Sequence, residues 1–116
     1  MDAAITPLEL LALRNTVPAP LVIDARREPV FQSAPDLIAG ALRRDPATVA
    51  AWAEQLPAAA RIVVYCVHGH EVSQNAAKAL RERGLPAQFL EGGIEAWRAA
   101  GGDIAINTVQ TAQKKS

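Results

Sequence analysis

The apolar positions of the chain fall into short runs and helical stripes, separated by proline, glycine and charged residues. The first stripe follows Thr6-Pro7-Leu8-Glu9, where Thr6 can cap a helix, Pro7 suits its first position and Glu9 can reach back to complete a capping box. This helix carries Leu10, Leu11 and Leu13 and is expected to stop near Asn15, before the stiff connector Val17-Pro18-Ala19-Pro20. Leu21-Val22-Ile23-Asp24 is an apolar run ending in a carboxylate, the pattern of a buried parallel strand with a polar residue at its C-terminal end. Arg26 to Phe31 reads as loop and a helical turn, and Leu37 to Leu42 as an apolar stretch broken by Gly40. Asp45 and Pro46 open another helix with Val49, Trp52, Ala53 and Leu56 as its stripe, ended by Pro57. Arg61 to Tyr65 is β-branched and continuous, the strongest strand in the chain and the expected centre of a sheet.

Cys66 follows that strand directly. Val67 to Val72 contains one glycine and no apolar period, so it reads as loop, and Ser73 is expected to open a helix with Ala76, Ala77 and Leu80 on one face. Gly84 stands where a C′ glycine ends a helix. Ala87 to Leu90 is a further strand, Glu91-Gly92-Gly93 a tight turn, and Ile94 to Ala100 a last helix carrying Trp97. Residues 1–107 are expected to make one domain and 108–116 a polar, frayed tail. Strands alternating with helices predict an α/β fold, a mostly parallel sheet with helices on both faces. Ligands of such sheets sit beyond the carboxyl ends of the strands, which brings Asp24, Cys66 and Glu91 to one rim.

Composition narrows the function. A chain of 116 residues suits one domain, and with aromatics at 4% the core must come from Ala, Leu, Val and Ile. Twelve basic residues balance 12 acidic ones, so no general field gathers nucleic acid or an acidic membrane. A single cysteine excludes an intramolecular disulfide and a zinc site built on several thiols. No secretory h-region opens the chain and no apolar run approaches a membrane span, so a cytoplasmic domain is expected.

A lone cysteine is most often a small buried hydrophobe. The position of Cys66, between a β-branched strand and a glycine-containing loop that leads into a helix, reverses that reading. Loop N–H groups can converge on one point there and the helix dipole adds positive potential. A thiolate held this way is a nucleophile, and the same donors can hold a charge arriving on a substrate. His68 and His70 can add donors; Glu71 opposes anion binding unless it turns to solvent or pairs with a base.

Tyr65-Cys66-Val67-His68-Gly69-His70-Glu71-Val72-Ser73 resembles the active-site segment of the rhodanese family. Leu21 to Arg26 is similar to that family's strand ending in Asp-x-Arg, Ile38-Ala39-Gly40-Ala41 to its Ile-Pro-Gly-Ala segment, and Leu90 to Trp97 to its closing Gly-Gly-x-x-x-Trp motif. Each motif alone is weak, whereas the ordered set, spanning roughly residues 5 to 103, is specific. The resemblance implies a rhodanese-like sulfurtransferase working through a persulfide on Cys66, with the loop N–H groups of Val67, His68, Gly69, His70, Glu71 and Val72 holding persulfide and substrate. Its partners would be a small sulfur donor such as thiosulfate and a cyanide or thiol acceptor, protein thiols included. No metal or organic cofactor is implied. Asp24 and Arg26 are expected to fix strand and loop as a buried ion pair, with Ser73 in a supporting role.

Three departures from the family pattern bear on substrate. Val67 replaces the basic residue that often follows the cysteine, the loop lacks an arginine, and counting back from Ala76-Ala77 leaves one residue more than the usual six. The longer spacing is that of related phosphatases and arsenate reductases, Cys-x5-Arg, but Val72 stands at the arginine position, so an oxyanion would lack its bidentate partner. Two alternatives therefore stand beside the sulfurtransferase: an oxyanion enzyme of that kind, and a non-catalytic regulatory or redox domain. A metal site on Cys66, His68 and His70 is disfavoured, because the loop centre offers the donors that suit an anion.

Overall fold

A computed structural model describes residues 3–57 and 61–107. The expected frayed tail, 108–116, lies outside the described residues. Five parallel strands form the main sheet: β1 (Ala4–Ile5), β2 (Leu21–Asp24), β4 (Leu42–Arg43), β5 (Ile62–Tyr65) and β6 (Ala87–Leu90), in the order β1-β6-β5-β2-β4. Two short strands, β3 (Asp36–Ile38) and β7 (Ile104–Ile106), pair antiparallel beside it. The helices are α1 (Pro7–Leu13), α2 (Glu28–Ser33), α3 (Val49–Ala53), α4 (Glu71–Glu82) and α5 (Gly93–Ala99).

The strand read as central is central. All four residues of β5 are buried, with β2 on one side and β6 on the other. Because successive strand side chains point to opposite faces, β5 feeds two cores. Ile62 and Val64 pack with Val49, Trp52, Ala76, Ala77 and Leu80 of α3 and α4. Val63 and Tyr65 pack with Leu10, Ile94 and Trp97 of α1 and α5. Helices thus cover both faces, and one tryptophan anchors each core. Among the described residues, no helix is long and apolar enough to cross a membrane.

Local chemistry explains two of the helix ends. At α1 the Thr6 side chain accepts from the Glu9 N–H at 3.2 Å and Glu9 Oε1 accepts from the Thr6 N–H at 2.9 Å, the reciprocal pair of a capping box. At the end of α4 the Gly84 N–H donates to the Arg81 carbonyl and the Leu85 N–H to the Leu80 carbonyl, with Gly84 at φ +82°. This is the 5→2 and 6→1 pairing of a Schellman end, which needs the left-handed residue that glycine supplies.

Four readings are corrected. The helix expected from Asp45-Pro46 begins as a 3₁₀ turn over Pro46–Thr48 before α3, capped by Asp45 Oδ1 on the Ala47 N–H at 2.9 Å. The stretch from Leu37 to Leu42 divides into β3 and β4, with Gly40 at φ +80° making the turn between them. β1 and β7, too short for a period to show, were not expected. Finally, α4 starts at Glu71, so Glu71 and Val72 form its first turn instead of loop, and Ser73 is its third residue instead of its opener. The N-cap is His70, whose side chain caps nothing; the Ser73 hydroxyl is turned to Cys66.

Candidate active site

The parallel order places the carboxyl ends of β2, β5 and β6 side by side, so Asp24, Cys66 and Glu91 share one rim as the topology requires. Cys66 leaves β5 and is only 6% exposed. Its Sγ lies 3.1 Å from Ser73 Oγ, within hydrogen-bond reach, and Ser73 Oγ lies 3.4 Å from the His70 carbonyl. The hydroxyl can turn from that carbonyl to donate to a thiolate. A cavity of about 230 Å³ opens over the sulfur, lined by Val67, His68, His70, Glu71 and Val72 on the loop side and by Arg26, Arg27 and Val30 opposite.

The backbone of the loop is held from outside. The Ile94 N–H donates to the Cys66 carbonyl at 3.0 Å and the Glu95 N–H to the Val67 carbonyl at 3.2 Å. Gln74 holds two more, its Nε2 donating to the Gly69 carbonyl at 2.9 Å and its N–H to the His70 carbonyl at 3.1 Å. In a trans peptide the N–H points opposite to its C=O. With those four carbonyls engaged by α5 and α4, the N–H groups of Val67, His68, His70 and Glu71 are turned the other way. Among the described residues, none of the N–H groups from Val67 to His70 donates to a protein acceptor. These orphan donors are what an anion-binding loop requires.

Two glycines make that grip possible. Gly69 has φ +72°, and a Cβ there would lie 2.7 Å from the Gly92 nitrogen and 2.7 Å from the Leu90 carbonyl. Gly93 has φ +61°, and a Cβ there would overlap the carbonyls of Cys66 and Val67. The Glu91-Gly92-Gly93 turn, expected as a turn, is thus also the clamp that sets the loop.

Under the rim lies a buried polar group. Asp24 accepts from Arg26 Nε at 3.0 Å and Nη2 at 2.6 Å, and from the Arg26 N–H at 3.0 Å. Tyr65 Oη donates to Asp24 Oδ2 at 2.7 Å and accepts from the Ile38 N–H at 3.1 Å. Arg26 Nη2 also reaches the Asp36 carbonyl at 2.9 Å. Each charge thus meets its counter-charge and further hydrogen bonds, the condition under which a buried ion pair is tolerable. Burial, and then the Asp24 charge, pushes the Tyr65 hydroxyl far above its ordinary range. Tyr65 was not singled out in the sequence. Strand parity could have flagged it, since it shares its face with Val63, but nothing local marks its hydroxyl as the link between β2 and β3.

The loop side chains do not converge on the sulfur. His68 and His70 are exposed, with ring centroids 5.8 Å apart, and Glu71 is exposed at the first helical position. Among the described residues, Ser73 is the one predicted site side chain that hydrogen-bonds with Sγ. Among the described residues no group of three His, Cys, Asp or Glu side chains is placed to hold a metal. Arg27 and Val30, which line the cavity, had no motif to announce them.

Comparison with known proteins agrees with this architecture. Residues 6–100 match the family described as Rhodanese-like domain. A rhodanese-related protein of Thermoplasma volcanium superposes with a TM-score of 0.74 at 23% identity, over 90% of this chain and 98% of that one. A Rhodopseudomonas palustris protein of unknown function, described as a possible tyrosine phosphatase, gives 0.73 at 28% identity, over 88% and 83%. A thiosulfate sulfurtransferase of Pseudomonas aeruginosa gives 0.73 at 24% identity, over 90% of this chain but only 19% of that longer one. No curated protein matches the chain. With the family pattern running over most of its length and the sheet order, loop and clamp in place, the chain belongs to the rhodanese-like domain family.

Proposed function

We propose that the protein is a sulfurtransferase that carries sulfur as a persulfide on Cys66. The observation that carries this reading is the loop itself: a buried thiol at the end of the central strand, beneath backbone N–H groups with no protein acceptor among the described residues. A cavity of about 230 Å³ suits a small donor. The Cys66 thiolate attacks the outer sulfur of thiosulfate; the sulfur–sulfur bond of the donor breaks, sulfite leaves with its electron pair, and Cys66 carries –S–S⁻. The N–H groups of Val67, His68, His70 and Glu71 hold the persulfide charge. Cyanide or a thiolate, from a small molecule or a protein, then attacks the terminal sulfur and returns the Cys66 thiolate. In the thiol form Cys66 Sγ donates to Ser73 Oγ at 3.1 Å, and once the proton leaves, the hydroxyl turns from the His70 carbonyl to donate to the sulfur. The Asp24–Arg26–Tyr65 group fixes the strand ends beneath the sulfur, and Arg26 also lines the cavity.

Mass spectrometry of the purified protein before and after thiosulfate tests the proposal. A gain of about 32 Da, one sulfur atom, is expected on the wild type, absent from Cys66→Ala and removed by cyanide. A wild type that gains no sulfur from thiosulfate or polysulfide rules the reading out.

A second reading, an enzyme acting on aryl phosphate or arsenate, is favoured by one observation. Ser73, seven residues after Cys66 and directly after the arginine position of Cys-x5-Arg, contacts Sγ, although α4 itself begins at Glu71. Val72 stands against it, because no guanidinium in the loop can take an oxyanion in bidentate fashion. Turnover of aryl phosphate by the wild type, lost in Cys66→Ala, would favour it over sulfur transfer.

A further inference from the structure

The mouth of the cavity holds a guanidinium that the chemistry above leaves unused. Arg26 and Arg27 both line it. Arg26 is buried, with its Nε and Nη2 engaged by Asp24 and the Asp36 carbonyl. Arg27 is exposed, and among the described residues its side chain makes no hydrogen bond or ion pair. Its neighbour Glu28 does not neutralise it, since that carboxylate pairs with Arg43 at 3.1 Å and accepts from Gln32 at 2.8 Å.

The backbone that carries Arg27 is fixed on both sides. The Arg26 N–H is held by Asp24 Oδ1, the Arg26 carbonyl by Arg43 Nη2 at 2.9 Å, and the Arg27 carbonyl by the Phe31 N–H at 2.9 Å. The guanidinium therefore starts from a set point. Arg27 lines both the cavity over Cys66 and a neighbouring hollow of about 270 Å³ that Asp45, Val72 and Asn75 also line. Val72 gives the loop no cation, and Glu71 brings a negative charge to the same mouth. A positive charge outside the loop, carried on a held backbone, is the element this mouth has in place of a loop arginine.

Resting on the sulfurtransferase reading, we propose that Arg27 is the specificity-determining residue, selecting small anionic sulfur donors by holding their oxyanion end at the cavity mouth. With thiosulfate, the sulfonate oxygens lie on Arg27 while the outer sulfur meets Cys66 Sγ. The sulfite that leaves carries its dianionic charge past the same guanidinium. Because Arg27 is exposed, its hold is screened by salt, and donor selection is strongest at low ionic strength.

The test uses Cys66 as its own reporter, since it is the sole cysteine. Rates of alkylation by anionic iodoacetate and neutral iodoacetamide are compared for the wild type, Arg27→Gln, Arg27→Lys and Glu71→Gln, at low and high salt. The iodoacetate-to-iodoacetamide rate ratio is expected to fall about 3- to 10-fold in Arg27→Gln, to be largely kept in Arg27→Lys, and to rise in Glu71→Gln, all converging at high salt. In parallel, the KM for thiosulfate rises about 5- to 20-fold in Arg27→Gln with a smaller change in kcat. A wild type that loads persulfide while the alkylation ratio stays the same in Arg27→Gln overturns the role of Arg27 alone. A wild type that loads no persulfide, with the ratio still falling, overturns the donor assignment together with the sulfurtransferase reading.

Discussion

Tyr65→Phe removes one oxygen from the buried group beneath the rim, and its cost can be worked from the contacts. The hydroxyl donates to the Asp24 carboxylate at 2.7 Å and accepts from the Ile38 N–H at 3.1 Å, with Tyr65, Asp24 and Ile38 all at 0% exposure. A hydrogen bond to a charged partner contributes about 1.5–3 kcal/mol, and a buried N–H left without an acceptor costs about 1–3 kcal/mol. The two share one oxygen and do not add fully, so a loss of about 2–4 kcal/mol is expected. In urea, with a slope of about 1–3 kcal/mol per M, that moves the unfolding midpoint down by about 1–2 M. Alkaline pH gives an independent reading. The folded protein holds the Tyr65 proton well above the unfolded value of about 10, so the stabilisation is complete below pH 10. Above it the unfolded chain releases a proton that the folded chain keeps, and stability falls with pH by about 1.4 kcal/mol per unit. Tyr65 is the sole tyrosine, so phenolate absorbance reports on it alone. The phenolate should appear only as the chain unfolds, and Tyr65→Phe should lose this part of the pH dependence. Reversible titration near pH 10 with the fold retained, or a urea midpoint shifted by less than about 0.3 M, would refute the reasoning.

Gly93→Ala places a methyl against the Cys66 and Val67 carbonyls at φ +61°; the left-handed strain alone costs about 1–2 kcal/mol, and persulfide loading should fall further than thermal stability. Gly84→Ala, at φ +82° but with open space around it, should show the strain cost in Tm with loading unchanged, which separates backbone strain from the clamp. Ser73→Ala deletes the side-chain contact to the sulfur and should slow iodoacetamide alkylation of Cys66 several-fold near neutral pH, with little change in melting. Leu80→Ala, fully buried between α4 and the sheet, should cost about 2–5 kcal/mol in urea unfolding, against under about 0.5 kcal/mol for the exposed Leu8→Ala.

The elements read correctly were those whose signal is local. Thr6 and Glu9 fit a capping box three residues apart, and Gly84 ends a helix because of its own φ. The β-branched run from Ile62 to Tyr65 is buried on both faces and so carries its own signature. The misreading at Ser73 is of the opposite kind. A serine after a loop reads as an N-cap, but the hydroxyl has a second possible partner, the Cys66 sulfur, and only the packing of α4 under β5 presents it. The antiparallel pair β3–β7 was likewise hidden. Its register joins Asp36 to Ile106 across most of the chain, and Ile104 and Ile106 are exposed, so no apolar period announces it.

The sequence by itself determined the alternation of strands and helices, the central strand and the thiol at its end. Each of these follows from propensity, period and the parallel order that βαβ chirality enforces. It also placed Asp24, Cys66 and Glu91 on one rim, because carboxyl ends of adjacent parallel strands must coincide. Tertiary structure alone decided what surrounds the sulfur. That Ile94 and Glu95 turn the loop carbonyls outward, that Tyr65 joins Asp24 to β3, and that Arg27 lines the same cavity as the loop are relations between segments far apart in the chain. Such contacts leave no trace in local pattern, because they depend on how the elements pack and not on how each one forms.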